Sequence, residues 1–290
     1  MSRVLVTGTS GFIGSSLTRD LKNRGFEVLS ISRKPVADEV KVHIQGSFEN
    51  FQDLDKLNLD GSETLVHLAA VTGDASEEDA LRVNVYQTAR LTRYCIDKGV
   101  KRFVFASSIA AIGCLTKEFM PRELPIPDDH PCDSSNPYGL SKYLMEEYLR
   151  YIKRNYPEID LTIFRIGVVL KKTSITPNSE QISKMWRPFC TLGCIHINDV
   201  VGALRFSLEK EFEPKFGIYN LVAEDAFTSV PTIQALKLSL GERINELDLS
   251  VFEGTDDSFK GLYDIAELKD SFGYVPTVRV SELSPDELEA

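Results

Sequence analysis

Short apolar runs alternate with longer amphipathic stretches through the first half of the chain. β-Branched and aromatic runs predict five strands, at residues 3–6, 27–32, 41–44, 64–69 and 102–106. Apolar positions at helical spacing predict helices over residues 12–24 and about 78–98, and a glycine follows each of them, as is common at helix ends. This alternation predicts a parallel sheet with helices on both faces.

The second half of the chain has a less regular pattern. Residues 115–137 contain five prolines and scattered acids, which predicts a long ordered loop. A helix is expected from Tyr138 to about Asn155 with Asn136 as its N-cap. A further helix is expected over residues 197–209, and strands at 161–166 and 218–222. Residues 169–194 are predicted to be irregular and polar, and the last seventy or so residues to form short mixed elements.

Composition and charge narrow the classes of partner. The 290 residues are 42% hydrophobic and 26% charged, which is ordinary for a globular protein. A net charge of -10 without a basic run argues against nucleic acid, and no stretch is long enough to cross a membrane. The first strand begins at residue 3 with no signal-peptide pattern, so we expect a cytoplasmic protein.

The cysteines predict neither a disulfide framework nor a metal site. Their number is odd, at five, and their spacing is irregular. Cys190, Cys194 and His196 lie close together in sequence but lack a fourth ligand, so we expect no metal.

A glycine-rich run lies between the first predicted strand and the first predicted helix. It reads Thr7-Gly8-Thr9-Ser10-Gly11-Phe12-Ile13-Gly14, with glycines spaced three apart. Glycine lets a pyrophosphate approach the backbone, and the helix N-terminus adds free N–H groups and partial positive charge. The position at the first strand–helix junction indicates a dinucleotide-binding loop, and no Gly-Lys-Ser/Thr follows that would indicate an ATP-type loop.

The end of the second strand normally contacts the adenosine ribose. An acidic residue there binds the 2′-hydroxyl of NAD, whereas this chain has Ser32-Arg33-Lys34. A guanidinium can pair with a 2′-phosphate. We therefore expect NADP or NAD as the cofactor, with NADP favoured by Arg33; the alternative is a solvated basic pair.

Two further motifs carry candidate chemistry. Tyr138 and Lys142 are four residues apart at the start of a predicted helix and so share one face. A nearby ammonium is expected to lower the pKa of the phenol, so that it exchanges a proton with a substrate hydroxyl. Ser107 and Ser108 end the fifth predicted strand, where ligands of parallel sheets bind. Each motif alone is weak, since surface pairs and capping serines are common, but their order along the chain is specific.

With these motifs in place, the chain resembles the extended short-chain dehydrogenases/reductases of the nucleotide-sugar epimerase/dehydratase group. The resemblance covers nearly the whole chain and includes the glycine loop, His67-Leu68-Ala69-Ala70, Asn84-Val85, Tyr138 with Lys142, and His196-Ile197-Asn198-Asp199-Val200. It implies that Tyr138 is the catalytic acid/base and that Lys142 is its partner, which also holds the nicotinamide ribose. It also implies that the hydroxyl of Ser108 orients the substrate. Counting back from Gly113 favours Ser108 over Ser107 for this role.

The resemblance also implies the remaining contacts. Leu68, Ala69 and Ala70 would lie against the nicotinamide half of the cofactor, and Ser47 and Phe48 near adenine. Asn84 resembles a buried asparagine of the group. Group members are commonly homodimers through the helices that contain Asn84 and Tyr138.

We therefore predict a Rossmann-type α/β fold, a doubly wound parallel sheet with a small C-terminal substrate-binding part. Residues 1–167 form the NAD(P)-binding domain, to which 196–222 return, and residues 168–195 and 223–290 form the small part. The favoured function is an epimerase acting on a secondary hydroxyl of a nucleotide sugar through a transient ketone.

Two departures from the group leave alternatives open. Val168 stands where the group often has an asparagine that contacts the substrate diphosphate, and residues 170–195 are shortened. Lys184 and Arg187, with Ser107, are the remaining candidates for substrate contacts. The second hypothesis is a single-step NAD(P)-dependent dehydrogenase or reductase of a sugar or sugar acid, similar to uronate dehydrogenases. A third is a nucleotide-sensing regulatory protein, which the presence of Tyr138 and Lys142 disfavours.

Overall fold

The computed structural model describes residues 3–36, 40, 42–59, 61–73, 75–171, 173–210, 215–253 and 257–283. Lys41, with which the third predicted strand begins, lies outside the described residues. The same holds for residues 284–290, at the end of the predicted small part.

Within the described ranges the chain forms nine strands. They are β1 (Arg3–Thr7), β2 (Glu27–Ser32), β3 (Val42–Gln45), β4 (Ser62–His67), β5 (Arg102–Ser108), β6 (Asp160–Ile166), β7 (Val168–Leu170), β8 (Cys194–His196) and β9 (Phe216–Leu221). Seven of them form one sheet in the order β3-β2-β1-β4-β5-β6-β9. The register is parallel where β1 lies between its neighbours, with Leu5 opposite Leu29 and Leu65. The predicted Rossmann-type parallel sheet is confirmed.

The helices are α1 (Phe12–Asn23), α2 (Phe51–Leu54), α3 (Glu77–Asp79), α4 (Thr88–Asp97), α5 (Pro137–Asn155), α6 (Ser179–Ser183), α7 (Pro188–Thr191), α8 (Ile197–Glu209) and α9 (Thr232–Leu240). π-Helical turns span Ala80–Gln87 and Leu268–Phe272, and 3₁₀ turns span Ile109–Ile112, Gly241–Glu246, Ser250–Phe252 and Val280–Glu282. The first π-helical segment joins α3 to α4, so the helix predicted over about 78–98 is one helical run with a π-helical centre. No helix among the described residues is long and apolar enough to cross a membrane.

The prediction that residues 169–194 are irregular was wrong. β7 pairs in parallel with β8, and α6 and α7 lie between them. These elements have three to five residues each, too few for a periodic pattern to emerge. The feature of the sequence that relates to this pairing is the presence of Gly167 and Gly193. A Cβ on Gly167 would lie 2.5 Å from the carbonyl oxygen of Gly193, so the two segments approach this closely only with glycine.

The proline-rich segment before α5 is a loop, as predicted, since residues 115–136 are all described and contain neither helix nor named strand. The side chain of Asn136 caps α5. Its Oδ1 accepts from the backbone N–H of Tyr138 at 3.0 Å and of Gly139 at 3.3 Å. The loop therefore ends by fixing the first turn of the helix that carries Tyr138.

Contacts divide the chain into two compact units. The first unit comprises Met1–Ser107, Leu140–Phe164 and Val201–Gly217, and the second Ser108–Gly139, Arg165–Val200 and Ile218–Ala290. This division assigns the proline-rich loop to the second unit, whereas the predicted domain boundary keeps residues 1–167 together. The predicted boundaries, with residues 196–222 returning to the first domain, remain a prediction.

A buried carboxylate ties the C-terminal segment into the second unit. Asp199, in the first turn of α8, is 1% exposed. Its Oδ1 accepts from the backbone N–H and the hydroxyl of Thr277, both at 2.9 Å, and its Oδ2 accepts from Val278 N at 2.9 Å. A buried carboxylate is stable only with such partners, so Asp199 acts as a structural anchor.

Candidate active site

The glycine loop brings backbone atoms unusually close together in the first unit. A Cβ on Gly14 would lie 2.1 Å from the carbonyl oxygen of Gly8, and a Cβ on Gly8 would lie 2.7 Å from the amide nitrogen of Ala69. Gly8 also has a φ of +75°, which favours glycine. The end of β1 is thereby packed directly against the start of α1 and the segment after β4.

A cavity of about 350 Å³ opens beside this loop in the first unit. The predicted cofactor residues that line it are Gly8, Ser10, Gly11, Arg33, Ser47, Phe48, Leu68, Ala69 and Ala70. Phe12, Ile13 and Gly14 do not line it; they form the first turn of α1, and Gly14 packs against Gly8. Ile31, Gly46, Glu49 and Val83 also line the cavity. They were missed because they carry no phosphate-binding signature in the sequence.

The lining of the cavity suits the pyrophosphate of a dinucleotide. It lies at the point where the strand order reverses between β1 and β4, the usual ligand site of such sheets. Gly11 is the N-cap of α1 and contributes no side chain, so the first turn of the helix presents its amides bare. A cofactor held here would contact the glycine loop with its pyrophosphate.

Basic residues lie where the ribose is normally bound. Arg33 and Lys34 line the cavity and are exposed. The carboxylate that lines the cavity beside them, that of Glu49, forms an ion pair with Arg82. This arrangement leaves Arg33 able to meet an anionic group.

A buried histidine, which the sequence indicated only as part of a motif, fixes the end of β4. His67 lies 2.7 Å from the hydroxyl of Thr7 through Nδ1 and 3.0 Å from that of Thr88 through Nε2. Burial, aided by the charge of Lys142, lowers the pKa of His67 to about 3. The ring is therefore neutral at physiological pH and links β1, β4 and α4.

Asn84 fixes the segment that follows β4. Its Oδ1 accepts from the backbone N–H of Val71, and its Nδ2 donates to the carbonyl of Val71 and to the hydroxyl of Ser141, all at 2.9 Å. The position lies within the π-helical turn. The predicted nicotinamide segment, Leu68 to Ala70, is thus held between the glycine loop and Asn84.

Lys142 lies buried in the first unit, at the end of β5. Its Nζ donates to the carbonyl of Ala106 at 2.7 Å. Burial lowers the pKa of Lys142 to about 8, against the charge of Glu146, which raises it. Ser107, a candidate substrate contact, donates its hydroxyl to Glu146 Oε1 at 2.5 Å.

Ser108 and Tyr138 come together in the second unit, where a side-chain hydrogen bond joins them. Gly139 permits this approach, because a Cβ there would lie 2.3 Å from the carbonyl oxygen of Ala110 in the turn after Ser108. Burial raises the pKa of Tyr138 to about 12, while the bond to Ser108 lowers it. The expectation of a lowered pKa was therefore wrong for the protein alone, in which burial keeps Tyr138 protonated.

The two candidate anion-binding residues differ in their surroundings. Lys184 is exposed and forms an ion pair with Glu180 at 2.6 Å. The guanidinium of Arg187 lies 4.0 Å from the ring centroid of Trp186, which is 53% exposed. Arg187 has no carboxylate partner among the described residues, so it is the better placed of the two to bind an anion.

The parallel sheet, the glycine-lined cavity and the Ser108–Tyr138 contact define the class of the protein, an oxidoreductase of the short-chain dehydrogenase/reductase type. The model of the NAD dependent epimerase/dehydratase family matches residues 4–221, and the chain belongs to this family.

Known proteins of this kind resemble the chain at low identity. UDP-glucose 4-epimerase from Cyamopsis tetragonoloba is 25% identical over 291 residues, covering 83% of this chain and 81% of that protein. UDP-glucose 4-epimerase from Caenorhabditis elegans is 30% identical, covering 56% of this chain and about half, 52%, of that protein. One solved structure that resembles the chain is a short-chain dehydrogenase/reductase superfamily protein from Agrobacterium tumefaciens with bound NAD. Its TM-score is 0.73 at 19% identity, and the match covers 98% of this chain and 95% of that one. This last likeness establishes the fold.

We predict that Gly14→Ala weakens NAD(H) binding at least about tenfold and lowers the free energy of unfolding, because the new methyl group meets the Gly8 carbonyl and displaces the loop. Calorimetric titration and denaturant unfolding measure the two effects. Ser16→Ala, in the same turn, removes only a hydrogen bond to Phe12 O and is the matched control. Equal cofactor affinity in the two variants would contradict the assignment of the loop.

Proposed function

We propose that this protein is an NAD(P)-dependent epimerase that inverts a secondary hydroxyl of a nucleotide sugar through a transient ketone. The observation that carries the proposal is the hydrogen bond between Ser108 and Tyr138, in a chain whose glycine loop fits a dinucleotide. Membership of the NAD dependent epimerase/dehydratase family and similarity to UDP-glucose 4-epimerases support it.

The proposed roles follow from the chemistry of each group. Bound NAD(P) supplies the hydride acceptor that also returns the hydride. Tyr138, once it has lost its own proton and stands as the phenolate, takes the proton of the sugar hydroxyl as the ketone forms and gives it back as the ketone is reduced. Ser108 holds the reacting oxygen through its hydroxyl. Lys142, buried and cationic, binds ribose hydroxyls and favours the phenolate while Tyr138 carries charge.

The second candidate is a single-step dehydrogenase or reductase of a sugar or sugar acid. Gly167 and Val168 favour it, because they provide no amide side chain for a diphosphate and Gly167 packs tightly on Gly193. The two candidates share Ser108, Tyr138 and Lys142 and differ in whether the hydride returns to the substrate.

We also propose that the protein is a homodimer through the helical run containing Asn84 and through α5. Tyr151 on α5 is 51% exposed, and Tyr86 beside Asn84 is 59% exposed, which suits an aromatic interface.

Tyr138→Phe is expected to lower kcat at least ~10²-fold while leaving the dissociation constant of the cofactor nearly unchanged, because the phenol carries the proton and the glycine loop holds the dinucleotide. Steady-state kinetics and cofactor titration measure this. Ser108→Ala is expected to lower kcat as well. Near wild-type turnover in Tyr138→Phe would remove Tyr138 from the mechanism.

The protein is expected to bind NADP(H) more tightly than NAD(H), since Arg33 lines the cavity where the ribose is bound. A charge-assisted contact contributes roughly 1.5–3 kcal/mol, or about tenfold or more in affinity. Titration of both cofactors with wild type and Arg33→Ala measures it, and Lys34→Ala is the neighbouring control. Equal affinities in the wild type would overturn the preference.

An epimerase is expected to convert its substrate without net change in cofactor absorbance, whereas a dehydrogenase accumulates reduced cofactor. A panel of nucleotide sugars and free uronates separates the two.

If a nucleotide sugar is the substrate, Arg187→Glu should weaken its binding far more than that of the cofactor. The effect should also exceed that of Lys184→Glu, because Lys184 is already paired with Glu180. Stoichiometric reduction of NAD(P) by a uronate, with no nucleotide-sugar binding, would establish the second candidate instead.

A further inference from the structure

One buried acid of the first unit has no part in the reaction described above. Glu146 lies one helical turn after Lys142 on α5 and is 1% exposed. Its Oε1 accepts the hydroxyl hydrogen of Ser107 at 2.5 Å. A carboxylate is rarely buried without compensating partners, so its position beside the end of β5 requires an explanation.

The neighbourhood of Lys142 supplies that explanation. Lys142 is 3% exposed, and its ammonium donates a hydrogen bond to the carbonyl of Ala106, the residue before Ser107. Burial alone disfavours the charged form of a lysine. The charge of Glu146, on the same helix, favours the charged form of Lys142. Lys142 in turn opposes the protonation of His67 on β4. Glu146 is therefore the carboxylate that compensates the buried cation.

Ser107 connects this pair to the sheet. The hydrogen bond from Ser107 fixes the carboxylate of Glu146 to β5. The hydrogen bond from Lys142 fixes α5 to the carbonyl of Ala106, one residue earlier on the same strand. Two consecutive residues of β5 thus hold two consecutive turns of α5. The same contacts occupy the hydroxyl of Ser107 within the first unit, which separates its role from that of Ser108.

We propose that Glu146 is a positioning residue of the reaction, whose carboxylate, held by Ser107, keeps Lys142 protonated and directed at the end of β5. The proposal rests on the proposed role of Lys142, but the ionisation of Lys142 is measurable without any substrate. A purely structural role for Glu146 predicts that an isosteric amide leaves the titration of Lys142 unchanged, and this distinguishes the two explanations.

The primary test is the titration of Lys142 by NMR in protein labelled with ¹³C at the lysine ε-carbon, with the signal assigned by Lys142→Arg. The pKa of Lys142 is about 8 in the wild type. Glu146→Gln is expected to lower it by about one pH unit or more, since an opposite charge at this range commonly shifts a pKa by about 1–3 units. Glu147→Gln is the matched control, because Glu147 is the adjacent, exposed residue and pairs with Arg150. It should leave the pKa of Lys142 unchanged.

Two further variants keep the test valid if Glu146→Gln folds poorly. Glu146→Asp retains the charge and should restore most of the pKa of Lys142. Ser107→Ala retains the carboxylate but frees it, and should lower the pKa by less than Glu146→Gln does. An unchanged pKa of Lys142 in a folded Glu146→Gln variant, or an equal fall in Glu146→Asp, overturns the proposal.

The activity profile gives the functional arm. Removing the carboxylate lowers the pKa of Lys142, so the lysine loses its charge at a lower pH and the alkaline limb of kcat/KM should move to lower pH by the same amount. A shifted NMR titration with an unchanged pH profile would mean that Lys142 does not act as proposed in the reaction. An unshifted titration would instead mean that Glu146 does not control Lys142. The failure of the proposed function and the failure of this inference are therefore distinguishable.

Discussion

The close approach of backbone at the end of β1 is the constraint on which the cofactor site depends. Gly8 lies against the amide of Ala69 on one side and against Gly14 on the other, at separations that exclude any side chain. The other first-unit contacts preserve this approach. His67 links Thr7 at the end of β1 to Thr88 on α4, and Asn84 holds the segment after β4 from the far side.

Buried polar groups set the rigidity of this arrangement. His67, Lys142 and Glu146 are each nearly inaccessible to water, and each has a hydrogen-bond partner on a different element or strand residue. In a low-dielectric interior such contacts are strong when complete and costly when one partner is lost. Hydrogen bonds to neighbouring elements therefore fix the positions of the side chains at the ends of β4 and β5. A site that holds a dinucleotide needs side chains fixed in this way.

The sequence predicted those parts of the structure that repeat or that use glycine. The strand pattern and the helix–glycine endings predicted the parallel sheet, and Gly8, Gly11 and Gly14 predicted the loop. β7, β8, α6 and α7 escaped prediction because each has only three to five residues, too few for a periodic pattern to repeat. β7 and β8 also form by pairing with each other across a long stretch of chain, which a local pattern does not reveal. The direction of the pKa shift of Tyr138 also could not be predicted, because the spacing to Lys142 specifies a shared helix face but not how deeply the phenol is buried.

The two serines at the end of β5 illustrate how an identical residue type acquires different chemistry from its surroundings. Adjacent residues of a strand point to opposite faces, so Ser107 and Ser108 cannot share one partner. The hydroxyl of Ser107 meets the carboxylate of Glu146, while Ser108 meets the phenol of Tyr138 and accepts from the amide of Ala110. Burial makes the phenol of Tyr138 a weak acid in the protein alone, so its phenolate forms only where positive charge offsets the burial. The two neighbouring hydroxyls are therefore distinguished by the groups that they contact, a buried carboxylate for Ser107 and a buried phenol for Ser108.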